Sequence, residues 1–164
     1  MIIYCGTDNK NEKFRVKDVP ITDYGVGWVG SNDADMARKF GRYQYKMRLG
    51  STDGILLNDV GDWKSRYKEQ VKSLVGAGDL DRLAKYGKIR VNAVENYIAA
   101  LTRVSLYKAI QTIRVDLYPD NDYLWVTKVI SDLKISGIML GSSNSLLLFW
   151  DPSIISNYVL VEIN

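Results

Sequence analysis

The 164-residue sequence contains no histidine. Ser-His-Asp and Cys-His nucleophile pairs and histidine-ligated zinc all need an imidazole, so that one absence removes them. A single cysteine, Cys5, excludes an intramolecular disulfide and a cysteine-rich metal site, and it suits a reducing, cytoplasmic compartment. Glutamate is scarce too: Glu12, Glu69, Glu95 and Glu162 are the whole set. No apolar run approaches the length of a membrane span, and the opening MIIYCGTDNK lacks the apolar stretch of a signal peptide. Neither a membrane nor a metal is expected as a partner.

What is present describes an ordinary globular chain. Hydrophobic residues make up 46% and charged residues 25%, enough to bury a core and too apolar for disorder. The length suits one domain spanning 1–164. A formal net charge of +3 is mild. The densest basic stretches, Lys10 to Lys17 and Arg38 to Arg48, are interrupted by acids or apolar residues and read as solvated faces. A nucleic-acid partner is left open rather than argued for.

The chain begins with a short buried strand, Ile2-Ile3-Tyr4, that runs into a Gly6-Thr7 turn. A second short strand is expected at Phe14-Arg15-Val16. Asp23 to Gly30 then sets three glycines among aromatic and β-branched residues, a pattern of backbone lying close to something or of a bulged core strand. Ser31 or Asn32 is placed to cap a short helix over Asp33 to Phe40, with Asp33 and Asp35 in its first turn and Arg38 and Lys39 in its last. Arg42 to Leu49 alternates as a strand, with Tyr43, Tyr45, Met47 and Leu49 on one face. Ile55-Leu56-Leu57 follows as another strand.

The middle is helical. Trp63, Tyr67, Val71 and Leu74 recur at helical spacing up to Gly76-Ala77-Gly78, and Val94 to Tyr107 marks a longer helix ending before Pro119. A third helix is expected from about Asn121 to Leu133. The tail returns to strand at Ile135 to Leu140, turns at Gly141 to Asn144, and continues as a buried run from Leu146 to Trp150. Asp151-Pro152-Ser153 breaks that run before a last strand, Tyr158 to Ile163. Strands, then helices, then strands make an α+β chain in which both β segments share one core.

Three features in order carry a likeness. An apolar strand ends in Tyr4-Cys5-Gly6-Thr7. About twenty residues on comes Gly25-Val26-Gly27-Trp28-Val29-Gly30-Ser31 and a helix with Ala34, Ala37 and Phe40. Late in the chain, Leu133-Lys134-Ile135-Ser136-Gly137 precedes Trp150-Asp151-Pro152-Ser153-Ile154-Ile155. In this order and spacing the sequence resembles the ADP-ribosyltransferase superfamily, in particular its compact bacterial and phage branch, which includes phage proteins that disarm host defences. The likeness covers about residues 1–57 and 121–163. It implies a split antiparallel sheet with a helical insertion at about 60–118.

The resemblance also implies a NAD pocket built from Tyr4, Cys5, Gly6, Thr7, Trp28, Ser31, Tyr43 and Tyr45. Gly6 would offer backbone N–H and C=O to the nicotinamide amide. Trp28, Tyr24, Tyr43 or Tyr45 would stack on the ring, and Ser31 would lie near the nicotinamide or its ribose. For Trp28, Tyr43 and Tyr45, core packing is the competing assignment.

Two positions depart from the family pattern. Cys5 stands where a histidine is usual, and the turn Gly141 to Ser145, where a carboxylate is usual, has no acid. No catalytic residue is assigned by motif. Asp53, Glu95, Asp120 or Asp122 would have to supply a displaced carboxylate, with Glu162 a further candidate. The resemblance therefore implies a mono-ADP-ribosyltransferase that uses NAD to modify a macromolecular target, such as a host defence protein or host enzyme. The alternatives are an inactive protein of the same fold that inhibits a host complex by binding it, and a NAD- or nucleotide-sensing module.

Overall fold

The computed structural model describes residues 1–57, 63–86, 93–101, 103–141 and 145–163. The chain divides into two compact units, Met1–Leu57 with Ile135–Asn164, and the intervening Asn58–Lys134. The helical unit runs past the expected insertion limit of 118, because the third helix belongs to it. The expected turn residues Ser142, Ser143 and Asn144 lie outside the described residues.

The first unit is built on strands β1 (Ile2–Thr7), β2 (Ile21–Thr22), β3 (Gly25–Val26), β4 (Trp28–Ser31), β5 (Tyr43–Leu49), β6 (Ile55–Leu57), β7 (Gly137–Leu140), β8 (Leu146–Phe149) and β9 (Ile155–Ile163). Seven of them form one sheet in the order β6-β7-β8-β4-β1-β5-β9, while β2 and β3 make a separate hairpin. Every neighbouring pair is antiparallel except β6 with β7, which is parallel. The sheet is thus mixed rather than antiparallel throughout. A parallel pair needs a long crossover, and the whole of Asn58–Lys134 separates β6 from β7.

Period-2 alternation sets the core face of this sheet. Ile3 and Cys5 of β1 point the same way as Tyr45, Met47 and Leu49 of β5, Trp28 of β4, and Leu147 and Phe149 of β8, and together they form one buried cluster. The expected strand at Phe14 to Val16 is absent. Phe14 adopts a positive φ of 39°, and Val16–Asp18 is a 3-10 turn. The Phe14 ring plugs the cluster instead, with centroids 5.3 Å from Trp28, 5.4 Å from Tyr45 and 4.9 Å from Tyr158. Burial of a large aromatic outweighed a three-residue alternation.

Helix α1 (Ala34–Ala37) continues as a 3-10 turn, Arg38–Phe40. Its cap is Asp33, whose Oδ1 accepts from the backbone N–H of Asp35 at 2.9 Å and of Met36 at 3.4 Å. Ser31, expected as a cap alongside Asn32, is instead the last residue of β4.

The second unit carries α2 (Trp63–Gly76), α3 (Ala93–Ala100), α4 (Leu106–Leu117) and α5 (Asp122–Lys128), the last extended by a wider turn over Val129–Leu133. The single helix expected from Val94 to the approach of Pro119 is two helices. Ser105 has extended backbone and its hydroxyl accepts from the N–H of Lys108 at 3.2 Å, so it starts α4 afresh. Buried polar tips are satisfied within the unit: Trp125 Nε1 donates to the Ile110 carbonyl at 2.9 Å, and the Tyr118 hydroxyl donates to the Leu74 carbonyl. Among the described residues no helix is long and apolar enough to cross a membrane, and no group of three or more Cys, Asp or Glu is placed to hold a metal ion.

Asp132 ties α2 to the end of this unit. It accepts from the Ser73 hydroxyl at 2.8 Å, from Ser131 at 2.9 Å and from the Lys128 ammonium at 3.3 Å. The Ser73 bond is the main reason its carboxyl is held below the usual aspartate range, against the opposing effect of burial. A depressed folded pKa contributes stability that is complete above the unfolded value and lost as pH falls through the folded one. Acid titration of thermal unfolding should therefore show a loss of stability below the usual aspartate range. That loss should be shallower in Asp132→Asn and in Ser73→Ala.

Candidate functional site at a fork in the sheet

β1 lies between β4 and β5, but not along its full length. With β5 it pairs from Ile2↔Arg48 through Thr7↔Tyr43. With β4 the register comprises Tyr4↔Ser31 and Cys5↔Gly30 and then stops. Beyond that point β4 stays with β8, at Val29↔Leu148 and Trp28↔Phe149. The sheet therefore forks after Cys5 and Gly30. Gly6 and Thr7 lie on one arm, Trp28 and Val29 on the other, and all four line an open cleft of about 1060 Å³.

Two glycines set one wall of this cleft. A Cβ on Gly6 would lie 2.3 Å from the Ala37 carbonyl oxygen, and a Cβ on Gly41 would lie 2.3 to 2.5 Å from the backbone of Thr7. Glycine at these positions lets the turn after α1 rest directly on the end of β1. Gln44 fastens the same contact by donating its Nε2–H to the Ala34 carbonyl at 2.6 Å. That turn delivers Arg38, Lys39, Phe40 and Arg42 to the cleft, and the β2–β3 hairpin delivers Tyr24. Tyr24 sits on a turn closed by Thr22, whose hydroxyl donates to the Gly25 carbonyl at 3.0 Å and accepts from the Tyr24 N–H at 3.2 Å. Gly25 has a φ of 105° there, a value that favours glycine. Tyr24 and Phe40 meet edge to face with centroids 5.9 Å apart.

The cleft has both signs of charge. Asp8, Glu12 and Asp23 line it, as do Arg38, Lys39 and Arg42. Arg42 Nε lies 3.5 Å from Asp8 Oδ1, with side chains 73% and 75% exposed, and Arg38 pairs with Asp35 at 3.0 Å. Exposed pairs of this kind hold weakly, at about 0–1 kcal/mol, so a ligand anion can compete for the cations. Glu12 is different. It is half-buried, its Oε2 accepts from the Thr7 hydroxyl at 3.1 Å, and its N–H donates to the Tyr45 hydroxyl at 3.1 Å. The Tyr45 hydroxyl in turn donates to the Lys10 carbonyl, which pins the loop. Burial pushes the Tyr45 phenol up, only partly offset by its bond to Glu12.

The residues proposed from sequence separate into two groups. Gly6, Thr7 and Trp28 line the cleft, as does Tyr24 from the stacking candidates. Tyr4, Cys5, Ser31, Tyr43 and Tyr45 do not. Tyr4 is half-buried between Ser31 and Lys46. Ser31 is buried; its hydroxyl donates to the Ser145 carbonyl at 2.9 Å and accepts from the Asp33 N–H at 3.0 Å. Tyr45 is in the core and Tyr43 is half-buried beside Thr7 at the end of β5.

Trp28 reaches the cleft but is only 1% exposed, with Phe14 at 5.3 Å and Phe149 at 5.5 Å on its ring, so it has no open face for stacking. Its indole Nε1–H has no acceptor among the described residues.

Of the acids proposed from sequence, Asp53, Glu95, Asp120 and Asp122 do not line the cleft, and the Glu162 side chain lies outside the described residues. Glu95 pairs with Lys72 at 2.6 Å, Asp122 pairs with Arg114 at 3.2 Å, and Asp53 and Asp120 are exposed. Sequence reasoning missed Glu12, Phe40 and Arg42 as site residues. The usable signal for Glu12 was Thr7-Asp8-Asn9, a run of side chains that close turns on their own backbone. Thr7 and Asn9 do so here, accepting from the N–H of Asn9 and Asn11 at 3.1 and 3.0 Å.

No protein-family model matches the chain, and neither a curated protein nor a solved structure matches it.

Two outcomes follow from this geometry. Gly41→Ala forces a methyl group into the Thr7 backbone and should destabilise the protein by about 1–3 kcal/mol in urea titration. Cys5 is fully buried, and its thiol is pushed up first by burial and then by the Glu12 charge. It should resist a thiol-specific reagent in the folded protein and react fully once denatured.

Proposed function

We propose that the cleft binds NAD and that the protein transfers ADP-ribose to a macromolecular acceptor. The observation that carries this reading is the fork. The Gly6-Thr7 turn and the Trp28-Val29 strand, parts of the two motifs on which the resemblance to ADP-ribosyltransferases rests most, line the two arms of one cleft. They are separated by about twenty residues of sequence, and nothing in their local patterns requires them to meet.

The other walls suit the same ligand. Tyr24 and Phe40, both half-buried, offer aromatic surface for a planar base or a nicotinamide ring. Arg38, Lys39 and Arg42 offer charge for a diphosphate. In this reading the ring-stacking role stays with Tyr24, is joined by Phe40, and leaves Trp28, Tyr43 and Tyr45. The competing reading, an inactive scaffold that acts by binding a partner, draws on Cys5, which occupies the usual histidine position as a core thiol.

Titration with NAD, followed by calorimetry, should give saturable binding. Phe40→Ala and Tyr24→Ala should each weaken it by roughly two- to tenfold, the size expected from loss of a ring contact. Incubation with NAD and cell extract should then add the mass of ADP-ribose to a target. An absence of NAD binding by the wild-type protein would sink the proposal.

A further inference from the structure

Resting on the reading of the cleft as a NAD site, we infer that Glu12 is the catalytic carboxylate of ADP-ribosyl transfer, contacting the ribose of the bound dinucleotide. The three acids that line the cleft are not equivalent. Asp8 is engaged by Arg42, both at its Nε at 3.5 Å and at its backbone N–H at 3.1 Å, and is 75% exposed. Asp23 is exposed on the tip of the β2–β3 hairpin. Glu12 is half-buried, anchored on both sides of its loop by the Tyr45 hydroxyl, and aimed by its bond to Thr7. Of the three, only Glu12 is withdrawn from solvent, while Asp8 and Asp23 are exposed. A carboxylate has about four lone-pair sites, and the Thr7 hydroxyl takes one. Capacity remains for a sugar hydroxyl or for a proton.

The chemistry requires such a group. As the bond between ribose C1′ and the nicotinamide nitrogen breaks, its electron pair leaves with the nicotinamide, which becomes neutral. Positive charge then develops on C1′ and the ring oxygen, and a fixed anion nearby stabilises it. The acceptor's lone pair forms the new bond to C1′, and the acceptor's proton passes to the Glu12 carboxylate. Charge and atoms balance without a further reactant.

The test measures nicotinamide release with acceptor present, and NAD affinity by calorimetry, for wild type, Glu12→Gln, Glu12→Asp and Asp53→Asn. Glu12→Gln keeps the shape and removes the charge. It should slow release by about 10²–10⁴-fold while NAD affinity stays within about threefold, and Asp53→Asn should match wild type. Glu12→Asp retains the charge at a shorter reach and should fall between. Protection of the Cys5 thiol from reagent confirms that each variant keeps its core. Near-normal release by a folded Glu12→Gln overturns the role of Glu12 and leaves the NAD reading standing. Equal losses of affinity and rate would make Glu12 a binding group only, and would also overturn the inference. Wild-type protein that binds NAD without releasing nicotinamide removes both this role and the transfer reaction. Wild-type protein that does not bind NAD removes the reading of the cleft as well.

Discussion

The geometry of the cleft depends on one backbone-to-backbone contact, that between the end of β1 and the turn that follows α1. Gly6 lies under the Ala37 carbonyl and Gly41 lies on Thr7, each so close that a methyl group would collide with main-chain atoms. Main chain cannot rotate out of the way as a long side chain can, so this contact fixes where the turn sits. The turn carries Arg38, Lys39, Phe40 and Arg42, and its position decides whether they face the cleft. In the family that the sequence resembles, a glycine after the first strand is explained by the approach of a ligand. In this chain the Cβ direction of Gly6 points at α1, so protein packing is sufficient reason for that glycine.

Much of the sheet was legible in the sequence because alternation and burial agree. In β5, Tyr45, Met47 and Leu49 are buried while Lys46 and Arg48 are exposed, as the period-2 pattern demands. Gln44 breaks the pattern only because its amide has a specific partner in the Ala34 carbonyl. Phe14 was misread since three residues of alternation carry little information, and its ring was needed in the core. The interruption before α4 was hidden for a similar reason. Apolar spacing runs straight through 94–107, and only the Ser105 cap marks the new start.

The site was less legible than the fold. The strand residues proposed for it were strand residues of a sheet buried on its core face, so Cys5, Tyr45 and the ring of Trp28 went inward. Gly6, Thr7 and Trp28 line the cleft because the fork opens at these strand ends. Glu12, Tyr24, Phe40 and Arg42 reach the cleft from loops and turns, and their placement depends on long-range bonds such as that of Glu12 to Tyr45, thirty-three residues away. No local pattern encodes a bond of that span.

The same distinction bears on the acid-free turn at Gly141 to Ser145. What a carboxylate does for a developing cation depends on its distance, its orientation and the polarity around it, and not on which loop carries it. A turn without an acid therefore says nothing against an anion delivered to the cleft from elsewhere in the chain. In the proposed reading Glu12 supplies that anion from the opposite end of the sequence. Its loop is tied down by Tyr45 and its carboxylate is oriented by Thr7. Cys5 is fully buried in the core of the same sheet. Histidine at that position would carry a larger, polar ring into a pocket packed with Ile3, Met47 and Phe149, whereas a small apolar thiol fits it. A core residue at position 5 and a carboxylate at position 12 are thus compatible parts of one local solution, in which the end of β1 supplies rigidity and the loop after it supplies charge.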